Sequence, residues 1–482
     1  MRHRTLLTAA CLLVVLSVTP PAAAQDLAAA RRAVIAETDR MAGDIGRMTN
    51  TLWVYSELAL KEDRSAAFLA GILEREGFRV ERGVAGMPTA FTATFGSGAP
   101  VIGILAEYDA LPGIGNDAVP RQQPRADGVT AGQGCGHNLF GAGSVGAAIA
   151  LKRTMEAQRI RGTLRLYGTP AEETGIGKVY MARERLFHDL DAALEWHPSQ
   201  HNAVGNTANQ ALNNFTIEFS GQPAHAAYDP WNGKSAVDAL ELFAHGINLM
   251  REHIKPTARV HYVFPSAGEA PNVVPSYARV WGFVRDVNRT SVEAHYGWIV
   301  KIAEAAALAT RTTYKVTLTT GLHEYVFNRP LQEAMQKNLE LVGGPKFGEA
   351  EQAFARRLQK ELGLAESGIE TAATPLAANV LPAEGGSTDV SDVSHITPTA
   401  GLEVATAGKD LPWHSWATAA SHGIPGASKA ADTAAAVIAL TGVDLFLRPE
   451  LVAQARADFV KRTGGRAYVS PLPAGQKPPV PK

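Results

Sequence analysis

The sequence predicts an α/β protein whose mainly parallel sheet is interrupted by a smaller α+β domain. Three observations support this. Apolar strands alternate with helical segments over the first 200 residues, the middle of the chain has the order β-α-β-β-α-β, and potential catalytic residues occur on both sides of that middle segment. A length of 482 residues suits two domains. We therefore expect one discontinuous domain, 25–206 with 321–465, and an inserted domain, 207–320.

The first part of the chain contains the elements of the larger sheet. Apolar residues recur at helical spacing from 27 to about 73. Short apolar runs at 101–106, 163–167 and 192–195 predict buried strands, and the small-residue-rich stretch 138–155 predicts a helix. The candidate site residues follow these strands or begin the helix, which is where open α/β sheets place their sites.

The middle and end of the chain differ in pattern. Strands are predicted at 211–220, 259–264, 277–284 and 313–319, with helices at 234–252 and 291–310. Their order is that of a split βαβ unit, the ferredoxin-like arrangement. A helix at 427–441 then completes the first core, and the proline-rich tail 466–482 is expected to be flexible.

The N-terminal residues have the pattern of a signal peptide. Positions 2–4 are basic, 5–18 are apolar, and Ala22-Ala23-Ala24 is a cleavage site that would leave Gln25 first. A membrane anchor is the alternative, but the apolar run is shorter than the roughly 20 residues needed to span a bilayer. We expect residues 1–24 to be removed and the protein to be exported, periplasmic or secreted, without membrane attachment. The net charge is -1 with no basic stripe, which argues against nucleic acid as a partner.

A single cysteine remains after the signal segment, and it lies in a ligand-like pattern. Cys135 and His137 are two residues apart between glycines, so a thiolate and an imidazole could share one tetrahedral cation. The alternative is a buried cysteine beside a helix-capping histidine. His197 follows a predicted strand and is a further candidate ligand, although a lone histidine there can also be structural.

Two adjacent carboxylates and one aspartate complete the candidate site. Glu172 and Glu173 follow a strand, and near a cation one could bind the metal while the other accepts a proton from water. The alternative is a solvated acidic loop. Asp109 comes just after another strand, where it would orient a ligand histidine or simply form a turn.

Several motifs in order give the chain a family resemblance. They are Cys-Gly-His-Asn, Pro-Ala-Glu-Glu-Thr-Gly, Trp-His-Pro, Gly-Gln-Pro-Ala-His-Ala-Ala, Pro-Asn-Val-Val-Pro, Gly-Ser-Thr-Asp-Val-Ser-Asp-Val-Ser and Pro-Trp-His-Ser-Trp, together with the loop of Asp109. Over nearly all the mature chain, this pattern resembles the metal-dependent aminoacylase and carboxypeptidase family with a peptidase dimerisation domain, in its aminobenzoyl-glutamate hydrolase branch. The resemblance implies a dinuclear metallopeptidase catalytic domain and an inserted dimerisation or lid domain.

The resemblance also implies roles for individual residues. Glu172 matches the general base, Asp109 the carboxylate behind a ligand, and Asn272 a substrate-binding residue. His225 matches a histidine that reaches the site of a neighbouring subunit and stabilises the oxyanion. The implied ligands of two divalent ions, manganese, zinc or cobalt, are Cys135, His137, Glu173, His197 and His414.

The implied reaction is metal-dependent hydrolysis of N-acyl amino acids, such as aminobenzoyl-glutamate, or of small peptide-like amides, by a homodimer joined through the inserted domain. One alternative is a dinuclear exopeptidase or dipeptidase. Another is a non-catalytic, metal-dependent solute-binding protein, which would have no use for Glu172 as a free base. The acyl group and the metal stay open, as do the roles of His395, His422 and Asn138, where many relatives have Asp.

Overall fold

The computed structural model describes residues 26–383 and 385–481, so the predicted signal peptide lies outside the described residues. The strands are β1 Arg79–Arg82, β2 Phe91–Ser97, β3 Val101–Ala106, β4 Gly162–Gly168, β5 Ala192–Ser199, β6 Ala203–Val204, β7 Ala211–Ser220, β8 Arg259–Ala267, β9 Tyr277–Asp286, β10 Thr313–Leu322 and β11 Thr399–Ala405. The helices are α1 Leu27–Tyr55, α2 Asp63–Arg75, α3 His137–Gln158, α4 Gly177–Arg183, α5 Ala236–Arg251, α6 Arg289–Thr310, α7 Arg329–Val342, α8 Glu349–Glu361, α9 Val390–Ser394, α10 Trp416–Ser421, α11 Ser428–Leu447 and α12 Pro449–Thr463.

The larger sheet has seven strands in the order β1-β2-β4-β3-β5-β11-β6. Its central strands β4, β3, β5 and β11 are parallel, whereas β1, β2 and β6 pair antiparallel at the two edges. The predicted α/β class with a mainly parallel sheet is therefore confirmed. The carboxyl ends of the parallel strands meet at one edge of this sheet, which is where ligand sites form in such folds.

Three long helices pack together beside the larger sheet. The segment 27–73 forms two helices, because Ser56 adopts a left-handed conformation (φ 39°) that ends α1. A Cβ on Gly146 in α3 would lie 2.5 Å from Ile45 in α1, so the glycine permits their close approach. The stretch Pro425–Leu447, which contains α11, is long and apolar enough to cross a membrane, but 89% of its apolar 18-residue part is buried inside the protein. It is therefore accounted for as a core helix.

The smaller sheet is antiparallel and has the order β10-β7-β9-β8. It is formed in the chain order β7-α5-β8-β9-α6-β10, as the sequence predicts. One face packs on α5 and α6 around a core that includes Phe215, Phe219 and Phe243. On the other face, Leu212 and Phe283 pack toward a hydrophobic cluster of the larger unit. The boundaries 207–320 stay a prediction.

The proline-rich tail, whose flexibility stays a prediction, makes several contacts with the rest of the protein. Leu472 is buried, and the Tyr468 hydroxyl donates to Asp392 Oδ1 at 2.8 Å. The Gln476 amide donates to the Leu318 carbonyl at 2.9 Å and to the Tyr180 hydroxyl at 3.0 Å. One apolar anchor and several hydrogen bonds thus hold residues 466–481 against the body, which proline content alone does not reveal.

Candidate metal centre

The structure brings all five predicted ligands together at the carboxyl ends of the parallel strands. His197 lies in β5, Glu173 follows β4, and Cys135 and His137 lie at the beginning of α3. His414 is in the loop between β11 and α10. Among the described residues, three groups could each hold a cation, and the ligand atoms within each group lie within 4.8 Å of one another. They are Cys135 with His137 and His197, Cys135 with Glu173 and His414, and Glu107 with His137 and Glu172.

A tight bend at Gly136 presents Cys135 to the centre. Gly136 has φ 80°, and a Cβ there would lie 2.9 Å from Pro198, so both conformation and space require glycine. Cys135 Sγ lies 3.4 Å from His197 Nε2. Burial, together with the charge of Glu173, raises the pKa of Cys135 to about 12. A thiolate at this position therefore needs a cation beside it, and a bound metal supplies one.

Asp109 fixes both His137 and the glutamate pair. His137 Nδ1 and Asp109 Oδ1 are 3.0 Å apart, which leaves His137 Nε2 to face the centre. Asp109 Oδ2 accepts the Glu173 backbone N–H at 2.9 Å. Burial opposes ionisation of Asp109, but His137 and the Glu173 amide lower its pKa overall. Asp109 therefore lies where a carboxylate that orients a ligand histidine would be.

The two glutamates occupy a short 3₁₀ turn, Glu172–Thr174, directly after β4. Glu173 Oε2 lies 3.5 Å from His414 Nε2, and Glu172 Oε2 lies 4.0 Å from His137 Nε2. Burial, followed by the charges of Glu107 and Asp389, raises the pKa of Glu172 well above its usual range. Burial also raises the pKa of Glu173 to about 8. Two carboxylates so placed would be stabilised in their charged forms by a cation.

The donor atoms fit a divalent cation. Among the described residues, His137 Nε2 and Glu173 Oε1 are buried and have no hydrogen-bond partner. Buried polar atoms are normally paired, so each of these two atoms is available to a ligand. A sulfur, imidazole nitrogens and carboxylate oxygens are a mixed donor set that suits transition metals. The His414 side chain is 53% exposed, so the centre opens to solvent on that side.

A buried chain of charges that the sequence analysis missed lies behind the centre. Lys178 Nζ is 2.6 Å from Glu107 Oε1 and 2.6 Å from Asp389 Oδ1, and all three residues are buried. Burial alone would lower the pKa of Lys178, but Asp389 and Glu107 raise it overall. Glu107 Oε2 in turn lies 3.1 Å from His137 Nε2. Asp389 belongs to the Gly-Ser-Thr-Asp motif, and Lys178 lies just after the motif that contains Glu172 and Glu173. Their places in or beside these motifs are the signal in the sequence that could have indicated them.

The structure does not bring His225 or Asn272 into this centre. Both side chains are exposed on neighbouring loops of the smaller sheet, where the Ala226 N–H donates to the Asn272 carbonyl at 3.0 Å. Neither residue belongs to any of the cation-binding groups found in the described part of the chain.

The three residues whose roles were open have structural partners. His422 is buried, with Nδ1 2.6 Å from the Gln133 carbonyl and Nε2 2.9 Å from the Thr406 hydroxyl. Asn138 donates to the His422 carbonyl at 3.0 Å. His395 Nε2 lies 2.8 Å from the Glu324 carbonyl. These contacts occupy both nitrogens of His422, so it has none left for a metal.

Comparison with known proteins identifies the family. The family described as Peptidase family M20/M25/M40 matches residues 103–356. The chain is also 37% identical over 456 residues to one of the subunits of the p-aminobenzoyl-glutamate hydrolase of Escherichia coli, covering 89% of this chain and 95% of that protein. The chain belongs to peptidase family M20/M25/M40. It is therefore a hydrolase that acts on amide bonds.

Other relatives agree with this assignment. The Xaa-Arg dipeptidase of Mus musculus is 29% identical, covering 90% of this chain and 93% of that protein. Among solved structures, a dinuclear metal-binding peptidase of this family from Bacillus subtilis superposes with a TM-score of 0.55 at 19% identity, covering 84% and 99% of the two chains. An aminobenzoyl-glutamate utilization protein from Klebsiella pneumoniae gives a TM-score of 0.58 at 17% identity, covering 85% and 96%. The two structures support the fold.

Proposed function

We propose that this enzyme hydrolyses N-acyl amino acids, with aminobenzoyl-glutamate-like conjugates as the leading substrates. The observation that carries the proposal is the combination of a cation-binding centre, the Glu172 carboxylate beside it, and a cationic side chain on the smaller sheet facing it. The first two provide for cleavage of an amide. The third, Arg285, suits a substrate with a free carboxylate.

Arg285 has the features of a carboxylate-binding residue. It lies in β9 opposite Leu212, on the face that packs toward the larger unit. Its Nη1 donates to the Ser387 hydroxyl at 3.2 Å, and its buried Nε has no hydrogen-bond partner in the described part of the chain. Burial lowers the pKa of Arg285, while the nearby charge of Glu172 acts in the opposite direction. A guanidinium with an unpaired donor near the base is suited to bind a carboxylate through paired hydrogen bonds.

The chain's own residues account for the proton transfers. A divalent cation at this centre would supply Lewis acidity to the scissile carbonyl and to the attacking water. Glu172 accepts one proton from that water as the water oxygen bonds to the carbonyl carbon. The same carboxyl then donates the proton to the leaving nitrogen as the C–N bond breaks. Asp109 meanwhile holds His137 in a fixed orientation.

We also propose two ions per chain, held by the five predicted ligands. The two groups that share Cys135, one completed by His137 and His197 and the other by Glu173 and His414, support a pair of neighbouring positions. Manganese, zinc and cobalt all suit these donors. Metal analysis of purified protein tests the stoichiometry; one ion per chain would contradict the pair.

A homodimer in which His225 acts on the partner subunit's site is the third part of the proposal. The Ala227 and Tyr228 N–H groups donate to His225 Nδ1 at 3.2 Å and 3.1 Å. The remaining nitrogen, Nε2, therefore carries the proton of the neutral ring and can donate to a developing oxyanion. The ring is exposed in the single chain, which supports a role at a neighbouring subunit.

A dipeptidase is the second candidate, because the mouse relative is an Xaa-Arg dipeptidase. A hydrolysis screen on purified protein separates the candidates by crossing acyl groups, free dipeptides and amino acids after loading manganese, zinc or cobalt. We expect N-acyl amino acids to have the highest kcat/KM. Preference for free dipeptides would favour the second candidate, and metal binding without turnover would favour the solute-binding alternative.

We propose export with cleavage after Ala24 as well. The basic, apolar and small-residue regions of the N-terminus support it. Intact-mass measurement on protein from the native envelope fraction should give a chain beginning at Gln25. A cytosolic chain that begins at Met1 would contradict export.

A further inference from the structure

Glu62 is a buried carboxylate that takes no part in the proposed proton transfers. It is completely buried at the beginning of α2, 109 residues before the loop that it contacts. Glu62 Oε1 accepts the Ala171 backbone N–H at 2.9 Å, and Oε2 accepts the Thr89 hydroxyl at 2.9 Å. Burying a carboxyl group costs free energy, so the presence of Glu62 at this position needs an explanation.

Capping of α2 does not explain why Glu62 is buried here. Glu62 occupies the N-cap position but makes no side-chain bond to the helix. Glu57 caps it instead, accepting the Arg64 N–H at 3.1 Å and the Ser65 N–H at 2.8 Å. The Glu62 side chain can therefore bond to Ala171 in the loop after β4.

Ala171, the residue that Glu62 contacts, immediately precedes the turn that contains Glu172. Ala171 has φ 59° and ψ 36°, a left-handed conformation that is unfavourable for a residue with a Cβ. It directly precedes Glu172, and its N–H is fixed by Glu62, while the N–H of Glu173 is fixed by Asp109. Two buried carboxylates thus hold the backbone on either side of Glu172. A strained conformation persists only where its surroundings enforce it.

The two anchors also belong to one buried network. The Tyr108 hydroxyl donates to the Thr89 carbonyl at 2.5 Å, and Tyr108 is adjacent to Asp109 in the chain. Burial, followed by the charge of Asp109, raises the pKa of Glu62 to about 8. A neutral carboxyl still offers an acceptor to Ala171, so the contact does not depend on charge.

We propose that Glu62 is a positioning residue that fixes the Ala171–Glu173 turn and thereby aims Glu172 at the reacting water. This inference rests on the proposed function, since it assumes that Glu172 is the base. The matching substitutions are Glu62→Met, which removes both acceptors, and Glu62→Gln, which keeps an acceptor for Ala171 and a polar partner for Thr89. Glu57→Met is the control, because it removes a neighbouring carboxylate that accepts from the first turn of α2 and not from the loop of Ala171.

The test combines kinetics with hydrogen exchange. We expect Glu62→Met to lower kcat by about tenfold to a hundredfold, as misplacement of a catalytic group by roughly 1 Å does, with KM and metal content unchanged. Amide exchange in the peptide 168–176 should accelerate in this variant. Glu62→Gln should keep wild-type kcat and exchange, and Glu57→Met should lower only the melting temperature.

Several results would overturn the inference. Wild-type kcat and exchange in Glu62→Met would reduce Glu62 to a packing residue, and an equal loss in Glu62→Gln would show that charge rather than geometry matters. If Glu62→Met does not fold, Glu62→Asp, one methylene shorter, carries the same expectation. An inactive wild-type enzyme on every substrate would refute the proposed function instead, whereas the exchange comparison would still test Glu62.

Discussion

The metal centre and the loop of His225 differ in how completely one chain builds them. In the centre, each predicted ligand lies near another, and Asp109, Glu107 and Lys178 fix those ligands from behind. The side chain of His225 is exposed, and its Nδ1 accepts from two backbone N–H groups of its own turn. The first region is a largely buried network of hydrogen bonds and ion pairs, and the second is an exposed donor outside every cation-binding group of the described residues.

This difference indicates how the work of catalysis is divided. Groups that carry charge and bind cations must be preorganised in a buried site, because charges interact strongly only where water is excluded. A neutral N–H donor can approach from outside, since its exposure costs little. Variants of the ligands and of the charged residues behind them should therefore affect metal binding or stability, while those in the loop should affect only turnover.

The largest effect is expected at the glutamate pair. Glu172→Gln should lower kcat by about a hundredfold to ten thousandfold, because an amide cannot accept the proton, and should keep its metal. Glu173→Ala should lose metal as well as activity, because a ligand is gone. Metal analysis beside kinetics measures both. Metal loss in Glu172→Gln with retention in Glu173→Ala would reverse the two roles.

Lys178→Met tests how far the buried network supports the fold. Removing the ammonium takes the buried lysine charge away from Glu107 and Asp389, and breaking a buried ion pair costs about 3–5 kcal/mol. Burial already raises the pKa of Asp389 to about 7, and loss of Lys178 raises it further, so the folded variant binds protons that the unfolded chain has released. Stability should therefore fall as the pH rises from 5 to 8.

Urea titrations of Lys178→Met at several pH values measure this loss of unfolding free energy. Lys301→Met is the matched control, because Lys301 is exposed and pairs only with the exposed Glu304 on the same helix. Its stability should change by less than about 1 kcal/mol. Equal stability of the two variants at pH 8 would show that the buried charges do not depend on Lys178.

Comparison of sequence and structure shows which parts of the site could be predicted. Cys135, His137, His197 and the Glu172–Glu173 pair lie after predicted strands or at the beginning of a predicted helix, so residue type and local position predicted them as candidates, whereas His414 was predicted only from the family resemblance. Lys178 and Asp389 are 211 residues apart, and Glu62 meets Ala171 over 109 residues, so only the folded chain reveals those contacts. The contacts of the tail were missed for a related reason, because its partners Asp392, Leu318 and Tyr180 lie far away in the sequence. Local sequence spacing predicts candidate ligands, but it does not predict the distant residues that fix their positions.

His225→Ala tests the exposed region. Loss of one oxyanion donor typically costs about a hundredfold to a thousandfold in kcat, and the buried centre should keep its metal. His245→Ala is the control, because His245 is another exposed histidine of the inserted segment, on α5. Metal loss in His225→Ala would contradict the division between the two regions.

Mixing His225→Ala with Glu172→Gln decides whether the histidine acts across subunits. In a mixed dimer, the subunit with His225→Ala keeps its own Glu172 and can receive His225 from its partner. Activity should return after subunit exchange, with one working site per mixed dimer. A mixture that exchanges subunits and stays inactive would place His225 at the site of its own chain, reached by a movement of the inserted segment.

The smallest effect is expected at Arg285, which lies on the smaller sheet within reach of the charge of Glu172. Arg285→Met should raise KM for N-acyl amino acids by about tenfold to a hundredfold, because one charge-assisted hydrogen-bonded contact is worth about 1.5–3 kcal/mol. The KM for the same substrates with the carboxylate blocked as an amide should not change, since those substrates never used the contact. Arg279→Met is the matched control, because Arg279 is an exposed residue on the same strand and face. Equal KM increases for free and blocked substrates would show that Arg285 shapes the pocket without binding the carboxylate, and the smaller sheet would then contribute only the loop of His225.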